Sequence, residues 1–219
     1  MRYYPIFLDI SGRCCTVIGG GDVAARKAKT LIECGASVTV VSPEITESLH
    51  ALADQKKITW KNRTCEARDV TGAFLVFGAT NDNALNRRIQ ADAKEAGALC
   101  NIVDQPELCD FILPSLVERG DLVIAVSTTG KSPAYARKLK KYLEKRLGDE
   151  HRLFLELMGA IRKKLLNENR ASHHNKPLFE KLVDAGLIEM IKNRDDHAIN
   201  ETLGKILGPG YDYDSLMSS

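Results

Sequence analysis

Apolar and polar positions follow two different periods in the first half of the chain, and the two periods alternate. Short runs of β-branched and aromatic residues predict buried strands, whereas apolar residues three or four positions apart predict helices. The predicted strands are residues 16–18, 37–41, 57–61, 73–77 and 98–103. One predicted helix begins at Asp22, and two others cover residues 44–55 and 83–96. This alternation is typical of an α/β fold with a doubly wound parallel sheet.

The pattern changes after residue 110, where two extended segments follow each other without a helix between them. Residues 111–119 and 122–127 are joined by a Gly-Asp pair, which predicts an antiparallel hairpin. Much of both strands is apolar and no helix is predicted to cover them, so we expect a second copy of the chain to bury this surface. Ser132 as N-cap and Pro133 at the first helical position predict that a basic helix follows. Its cations form either a solvated face or a field that attracts anions.

Helical spacing continues from Glu150 toward the end of the chain. Three apolar faces predict three helices, with a polar loop over residues 167–175, and the sequence from Gly208 onward predicts a loose tail. We therefore expect three parts, which are a nucleotide-binding domain, a hairpin-and-helix region and a helical domain. Their predicted bounds are residues 1–112, 113–148 and 149–219.

A glycine-rich turn joins the first predicted strand to the first helix. Gly19, Gly21 and Ala24 have the G-x-G-x-x-A spacing of a dinucleotide-binding turn. In this interpretation Gly19 makes a tight turn, Gly21 lets a pyrophosphate approach the backbone, and Ala24 lets the helix pack close to the strand. The free N–H groups that begin the helix would bind the pyrophosphate. A glycine run is also common in plain turns, but the strand that completes the βαβ unit favours a nucleotide site.

The end of the second predicted strand departs from the usual dinucleotide pattern. An acidic residue normally stands there and binds the ribose hydroxyls. Here Ser42 and Pro43 occupy that place, and Glu44 comes slightly late. No arginine is adjacent to favour a 2′-phosphate, so the sequence favours NAD over NADP.

Four segments that follow predicted strands carry polar or glycine residues. They are residues 19–23, 42–44, 78–82 and Asp104. In doubly wound sheets ligands bind beyond the carboxyl ends of the strands. We therefore expect these four segments to meet at one rim, where they would form the cofactor site.

Composition and charge narrow the class of protein. The chain has 219 residues, of which 44% are hydrophobic and 27% are charged, the balance of a globular protein. Lys+Arg 31 against Asp+Glu 29 does not support a general nucleic-acid surface. No apolar run is long enough to span a bilayer, and the first residues lack the apolar region of a signal peptide. The six cysteines form no C-x-x-C pair and are interpreted as reduced and mostly buried, so we expect a cytoplasmic protein.

A non-catalytic regulator of Rossmann type that senses NAD or another ligand would share the glycine turn. Such a protein should also carry a DNA-reading helix-turn-helix. The predicted C-terminal helices have only a short basic cluster, Arg162, Lys163 and Lys164, which does not favour this alternative.

Four segments together resemble one enzyme family. They are IGGGDVAARKA, GATNDNALN, NIVDQPELCDFILPS and VSTTGKSPAYARKL. In this order and spacing they resemble the precorrin-2 dehydrogenase/sirohydrochlorin ferrochelatase family, which includes the N-terminal module of sirohaem synthases. The resemblance is close over about the first 150 residues and implies a Rossmann-type sheet, a dimerisation region and a helical C-terminal domain.

The resemblance implies NAD-dependent oxidation of precorrin-2 to sirohydrochlorin, with insertion of ferrous iron in many members. It also implies a homodimer formed through the hairpin and the basic helix. The family's functional aspartate corresponds to Asp104. Its cofactor contacts correspond to Gly21, Asp22, Val23, Ser42, Pro43, Glu44, Thr80 and Asn81.

Two further assignments concern the reaction. A carboxylate at the rim of the sheet, Asp104, is the better candidate for proton transfer, because the only histidine in the nucleotide domain, His50, lies on a helix away from the rim. The alternative for Asp104 is a plain turn residue, and nearby Asp110 is interpreted as structural. The loop that holds Ser127, Thr128, Lys131 and Ser132 offers groups suited to substrate carboxylates, or else is only a capped turn.

Overall fold

The first of two units in the chain is built on a five-stranded parallel sheet. Its strands are β1 (Cys14–Ile18), β2 (Ser37–Val41), β3 (Ile58–Lys61), β4 (Leu75–Gly78) and β5 (Leu99–Ile102). The strand order is β3-β2-β1-β4-β5, so the direction of winding reverses between β1 and β4. The computed structural model describes residues 2–168 and 172–218, without the side chains of residues 172–175.

Three helices and two short 3-10 segments complete this unit, Met1–Leu113. The helices are α1 (Asp22–Glu33), α2 (Glu47–Asp54) and α3 (Asn83–Glu95), and the 3-10 segments are Ala67–Asp69 and Pro106–Leu108. Alternate residues of each strand enter two different buried clusters, because successive side chains point to opposite faces of a sheet. Val17 of β1 packs in the cluster of α1 and α2, while its neighbour Ile18 packs in that of α3. Both faces are covered, which confirms the predicted doubly wound α/β fold.

The second unit, Pro114–Ser219, begins with an antiparallel hairpin and continues as helices. The hairpin strands are β6 (Ser115–Arg119) and β7 (Leu122–Val126). The helices are α4 (Pro133–Arg146), α5 (Glu150–Asn167), α6 (Ser172–Asp184), α7 (Leu187–Asn193), α8 (Asp196–Leu207) and α9 (Tyr213–Met217). Helix α4 packs on both hairpin strands and α5 packs on β7. The expectation that no helix covers the hairpin is therefore wrong.

Two further predictions of local structure need correction. Helix α2 begins at Glu47 rather than at residue 44, because the preceding residues are bonded to the glycine turn described below. The chain after Gly208 is not a loose tail, because it forms α9 and buries Tyr211 and Leu216 in the helical core.

The polar loop expected over residues 167–175 is shorter than predicted. Helix α5 extends to Asn167 and α6 begins at Ser172, and the remaining part of that prediction, residues 169–171, lies outside the described residues. Helix α7 has no counterpart in the sequence prediction. The division into three domains stays a prediction, since contacts alone do not tell which parts fold independently. In the described part of the chain, no helix has both the length and the apolar character needed to cross a membrane.

Candidate active site at the carboxyl edge of the sheet

The three glycines of the turn after β1 differ in how much space surrounds them. Gly19 has a φ of +124°, and a Cβ atom there would collide with the carbonyl of Ala79. A Cβ atom on Gly20 would collide with the carbonyl of Glu44, whereas one on Gly21 would meet nothing within 4 Å. The first two glycines therefore allow close packing, and the third leaves its backbone open to a ligand.

The first turn of α1 has free N–H groups beside this open space. Gly21 is the N-cap, and no side chain caps the helix, in contrast to α3, where Asp82 accepts N–H bonds from Ala84 and Leu85. An uncapped helix start of this kind binds anions through its N–H groups and its dipole. The backbone N–H groups of Asp22 and Val23 in this turn could bind the pyrophosphate of a dinucleotide.

The loop after β2 is tied to the glycine turn. Ser42 donates its hydroxyl to the carbonyl of Glu44 at 2.6 Å, and the N–H of Thr46 bonds to the carbonyl of Gly20 at 2.9 Å. The indole Nε1 of Trp60 donates to the carbonyl of Ser42 at 3.0 Å. These bonds hold the loop after β2 against the glycine turn.

Two cavities open at this edge of the sheet. One of about 570 Å³ is lined by Ile18, Gly19, Gly20, Gly21, Asp22, Val23, Val41, Ser42, Pro43, Thr64, Cys65, Ala79, Thr80, Asn81 and Leu85. The other, of about 510 Å³, is lined by Val23, Ala79, Thr80, Asn81, Asn83, Arg87, Val103, Asp104, Gln105 and Glu107. We call them the glycine-turn cavity and the Asp104 cavity. They share Val23, Ala79, Thr80 and Asn81, so a long ligand can extend from one into the other.

The shared wall is stiffened by hydrogen bonds. The hydroxyl of Thr80 donates to the side-chain oxygen of Asn86 at 2.8 Å, and the amide of Asn86 donates back to the carbonyl of Thr80 at 3.1 Å. Asn81 is exposed and borders both cavities. The structure thus brings together all the predicted cofactor residues except Glu44, whose exposed side chain lines neither cavity.

Asp104 follows β5 and has a φ of +60°, in the left-handed region where aspartate, like asparagine, occurs more often than most residues other than glycine. Its loop is held by Cys109, whose thiol lies 3.2 Å from the carbonyl of Ile102 and 3.3 Å from that of Gln105. Burial raises the pKa of the Cys109 thiol, so the thiol stays protonated and can donate its single S–H to either of these carbonyls. The amide of Gln105 also donates to Asn83 at 2.7 Å, which ties the loop to α3. These bonds hold the backbone around Asp104 in place at the rim of the sheet.

Asp110 is structural, as expected. Its carboxylate accepts the N–H of Cys100 at 2.8 Å, and its own N–H bonds back to the carbonyl of Cys100. The side-chain amide of Asn101 donates to the carbonyl of Phe111 at 2.8 Å. The segment after Asp104 therefore runs back along β5 and fixes the loop.

Two cations near Asp104 were not predicted as site residues from the sequence. Lys27 lies one helical turn after Val23 with its ammonium 5.8 Å from the ring centroid of Phe77. Burial lowers the pKa of Lys27, while the nearby charge of Asp104 favours its charged form. Arg87 lines the Asp104 cavity. Both cations stand four positions after a cavity residue on the same helix, a spacing that the sequence itself displays.

The predicted carboxylate-binding loop lies in the second unit and is internally bonded. The hydroxyl of Ser127 accepts the N–H of Thr129, that of Thr128 accepts the N–H of Ser132, and that of Ser132 accepts the N–H of Tyr135. This arrangement is that of a capped turn, with Thr129 at a φ of +53°. Among these groups, the side chain of Lys131 has no such bond to the described residues.

Comparisons with known proteins agree with this geometry. Residues 6–115 match the family model described as putative NAD(P)-binding, and residues 119–146 match the one described as sirohaem biosynthesis protein central. The siroheme synthase of Nitrosococcus oceani is 36% identical over 191 residues, which are 87% of this chain and 41% of that protein. The siroheme synthase of Actinobacillus pleuropneumoniae is 42% identical over 144 residues, which are 66% of this chain and 30% of that protein.

Among solved structures, SirC, precorrin-2 dehydrogenase, is 25% identical, with a TM-score of 0.79 over 93% of this chain and 98% of that one. The chain spans less than half the length of the curated relatives it matches. The first family match covers half of the chain, and the sequence resemblance is confirmed. The chain therefore belongs to the putative NAD(P)-binding family of the siroheme synthases and precorrin-2 dehydrogenase.

Proposed function

We propose that the chain oxidises precorrin-2 to sirohydrochlorin with NAD. The observation that carries the proposal is that Asp104 lines a cavity which shares a wall with the glycine-turn cavity. A cofactor on the glycine turn and a substrate beside Asp104 would then meet at that wall. The names of the relatives, siroheme synthase and precorrin-2 dehydrogenase, support this substrate.

The residues of the glycine-turn cavity fit a dinucleotide. Gly21 and the uncapped start of α1 would hold the pyrophosphate, and Ser42 and Pro43 would border the ribose. Thr80 and Asn81 would border the nicotinamide half, because they also line the Asp104 cavity. NAD supplies the hydride acceptor when it is bound.

Asp104 is the residue we assign to proton transfer. Loss of a hydride from a ring carbon must be matched by loss of a proton, and a carboxylate at hydrogen-bond distance can accept it. Asp104 is exposed at the rim, so the proton can then pass to water. Its loop is held by the bonds of Cys109 and Gln105, which limits the motion of the carboxylate.

Substrate carboxylates need cations, and Arg87 is the cation among the residues that line the Asp104 cavity. A guanidinium binds a carboxylate through two parallel hydrogen bonds. We propose Arg87 as a substrate-binding residue. Ser127, Thr128, Lys131 and Ser132 stay proposed substrate contacts. The three hydroxyls accept N–H bonds within the loop and can still donate their O–H groups to a carboxylate, and Lys131 adds a positive charge.

Replacement of Asp104 by alanine tests the catalytic assignment. We expect turnover of precorrin-2 to fall by ~10²–10⁴-fold, the usual contribution of a positioned acid or base, while NAD affinity stays within about twofold because the glycine turn is untouched. The measurement is the anaerobic appearance of reduced nicotinamide. Glu107→Gln is the matched control, since Glu107 is a second carboxylate of the same cavity. Full turnover by a folded Asp104→Ala protein would show that the base lies elsewhere.

Insertion of ferrous iron is a second proposed activity, with iron as a substrate. It is favoured by the presence of two carboxylates, Asp104 and Glu107, in one cavity, because metallation must remove pyrrole protons. No group of three or more metal-ligating side chains occurs in the described part of the chain, so nothing there suggests a stored ion. Anaerobic insertion no faster than the uncatalysed rate would exclude this activity.

We also propose a cytoplasmic homodimer. None of the six cysteines, all of which the structure describes, forms a disulfide bond, which fits a reducing compartment. The hairpin strand β7 still exposes Val123, and α4 exposes Tyr135 and Tyr142, so apolar surface remains for a second copy.

A further inference from the structure

Two cations lie at and just after the end of the strand that neighbours the proposed ribose position. Lys61, the last residue of β3, is paired in register with Val41, the last residue of β2. Ser42 follows Val41 and donates its N–H to the carbonyl of Lys61 at 3.3 Å. In dinucleotide-binding sheets the end of this second strand meets the ribose that carries adenine. A cation at the end of β3 is therefore a neighbour of that ribose.

One carboxylate holds both cations of this region. The side chain of Asp69 is fully buried. Its oxygens accept Nζ of Lys61 at 2.9 Å and the two terminal nitrogens of Arg63 at 2.6 and 2.7 Å. They also accept the N–H of Glu66 at 2.9 Å. A two-pronged contact to an arginine fixes the guanidinium in position as well as in charge.

These contacts keep Asp69 ionised. Burial by itself raises the pKa of the Asp69 carboxyl, but the hydrogen bonds from Arg63, from the N–H of Glu66 and from Lys61 outweigh it. They hold the pKa of Asp69 well below its usual range. The carboxylate therefore keeps its two cations throughout the physiological pH range.

Arg63 directly precedes two residues of the glycine-turn cavity in the chain, although it does not itself line that cavity. The next two residues, Thr64 and Cys65, line that cavity. The guanidinium of Arg63 is used by Asp69 and by the carbonyl of Thr64, which accepts a bond at 3.0 Å. NADP differs from NAD by a phosphate on the 2′ oxygen of this ribose, and a nearby arginine is what accommodates that phosphate.

We propose that Asp69 is a cofactor-specificity residue, which withholds Lys61 and Arg63 from the 2′-phosphate of NADP and so makes the site selective for NAD. The sequence has no arginine next to Ser42, but Arg63 follows the end of β3, and the sheet pairs β3 with the strand that precedes Ser42. Asp69 explains why the presence of these cations does not turn the site into one for NADP.

Titration of the full chain with NAD and with NADP tests this inference. No tetrapyrrole is needed, so the result is independent of the proposed oxidation of precorrin-2. We expect the unchanged protein to bind NAD at least about tenfold more tightly than NADP. In Asp69→Asn we expect NADP affinity to rise about tenfold, the equivalent of ~1.4 kcal/mol, with NAD affinity within about twofold. Adding Arg63→Gln to Asp69→Asn should remove most of the gain.

Two other variants make the test specific. Glu66→Gln also neutralises a carboxylate near Arg63, at 3.9 Å, but Glu66 is half exposed, and we expect it to leave the ratio of the two affinities unchanged. Lys61→Met keeps the Arg63–Asp69 contact and covers the case in which Asp69→Asn does not fold. NADP affinity should stay the same in this variant, because Lys61 is already withheld. An unchanged ratio in folded Asp69→Asn, or a tenfold loss of NADP affinity in Lys61→Met, would overturn the proposal.

Discussion

Two adjacent arginines of α3, Arg87 and Arg88, have different surroundings. Arg88 donates to the carbonyl of Cys65 at 3.0 Å and so has a partner inside the protein. Arg87, its neighbour, lines the Asp104 cavity and has no ion pair with any described residue. The helix turns by about 100° per residue, so two consecutive arginines point to different places. Arg88 therefore has a structural role, whereas substrate binding is the role proposed for Arg87.

Substitution of each arginine by glutamine tests this separation. We expect Arg87→Gln to raise the KM for precorrin-2 by roughly 10-fold or more, because a hydrogen bond to a charged group contributes ~1.5–3 kcal/mol. The kcat and the affinity for NAD should change little, since Arg87 borders only the Asp104 cavity. Steady-state kinetics of both variants provide the measurement. Equal KM values for Arg87→Gln and Arg88→Gln would mean that the substrate carboxylates bind elsewhere.

Elements whose ends are fixed by local pattern were predictable, and those fixed by tertiary bonds were not. Strand β2 lies at Ser37–Val41 as predicted, because its β-branched run ends at a proline. The start of α2 was placed three residues too early, since the bonds from Ser42 to Glu44 and from Thr46 to Gly20 keep the chain extended there. No sequence pattern reports the bond between Thr46 and Gly20, which joins two separate loops.

The same reasoning applies to the candidate site. The glycine spacing and the strand ends were enough to predict which segments meet at the rim. Lys27 and Arg87 were missed because a cation on a helix is usually a solvated residue, and only the fold shows which turn faces a cavity. Asp69 was missed because its two cations reach it through the fold of the loop after β3.

Substitution of two neighbouring glycines in the turn after β1 tests whether one is needed for packing and the other for binding. In Gly20→Ala the new methyl group collides with the carbonyl of Glu44, so we expect a loss of ~1–3 kcal/mol in the free energy of unfolding, together with weaker NAD binding. In Gly21→Ala the methyl group enters open space. That variant should keep its stability and lose NAD affinity only. Thermal unfolding and NAD titration of both proteins measure the two effects. Equal losses of stability would contradict this account of the turn.

At the scale of the whole molecule, the chain has a separate buried core in each unit. The sheet is enclosed by its own helices, and the helical unit has a cluster built from α5 to α9. The hairpin is partly covered by α4 and α5, so the case for a dimer rests on the apolar residues that stay exposed on β7 and α4. The sequence alone does not show this cover, because no local pattern indicates that the helices after the hairpin fold back onto it.

Sedimentation of the full chain tests the proposed dimer. We expect a mass of about twice the 24.2 kDa of one chain. Val123→Glu places a charge on the exposed part of β7 and should shift the protein toward the monomer, because burying an unpaired charge is costly. Val183→Glu is the matched control, since Val183 is an exposed valine on α6. A monomer in the unchanged chain at micromolar concentration would exclude the dimer.

The uncapped start of α1 also bears on how this chain behaves when no ligand is present. A side chain at this position caps α3, α4, α8 and α9, whereas the start of α1 leaves its N–H groups available to an anion. A bound cofactor would take the place of a capping side chain, so we expect it to stabilise the fold as well as take part in the reaction. Resistance to heat should then follow cofactor supply, with a gain of ~2.7 kcal/mol when the dinucleotide is at 100 times its dissociation constant.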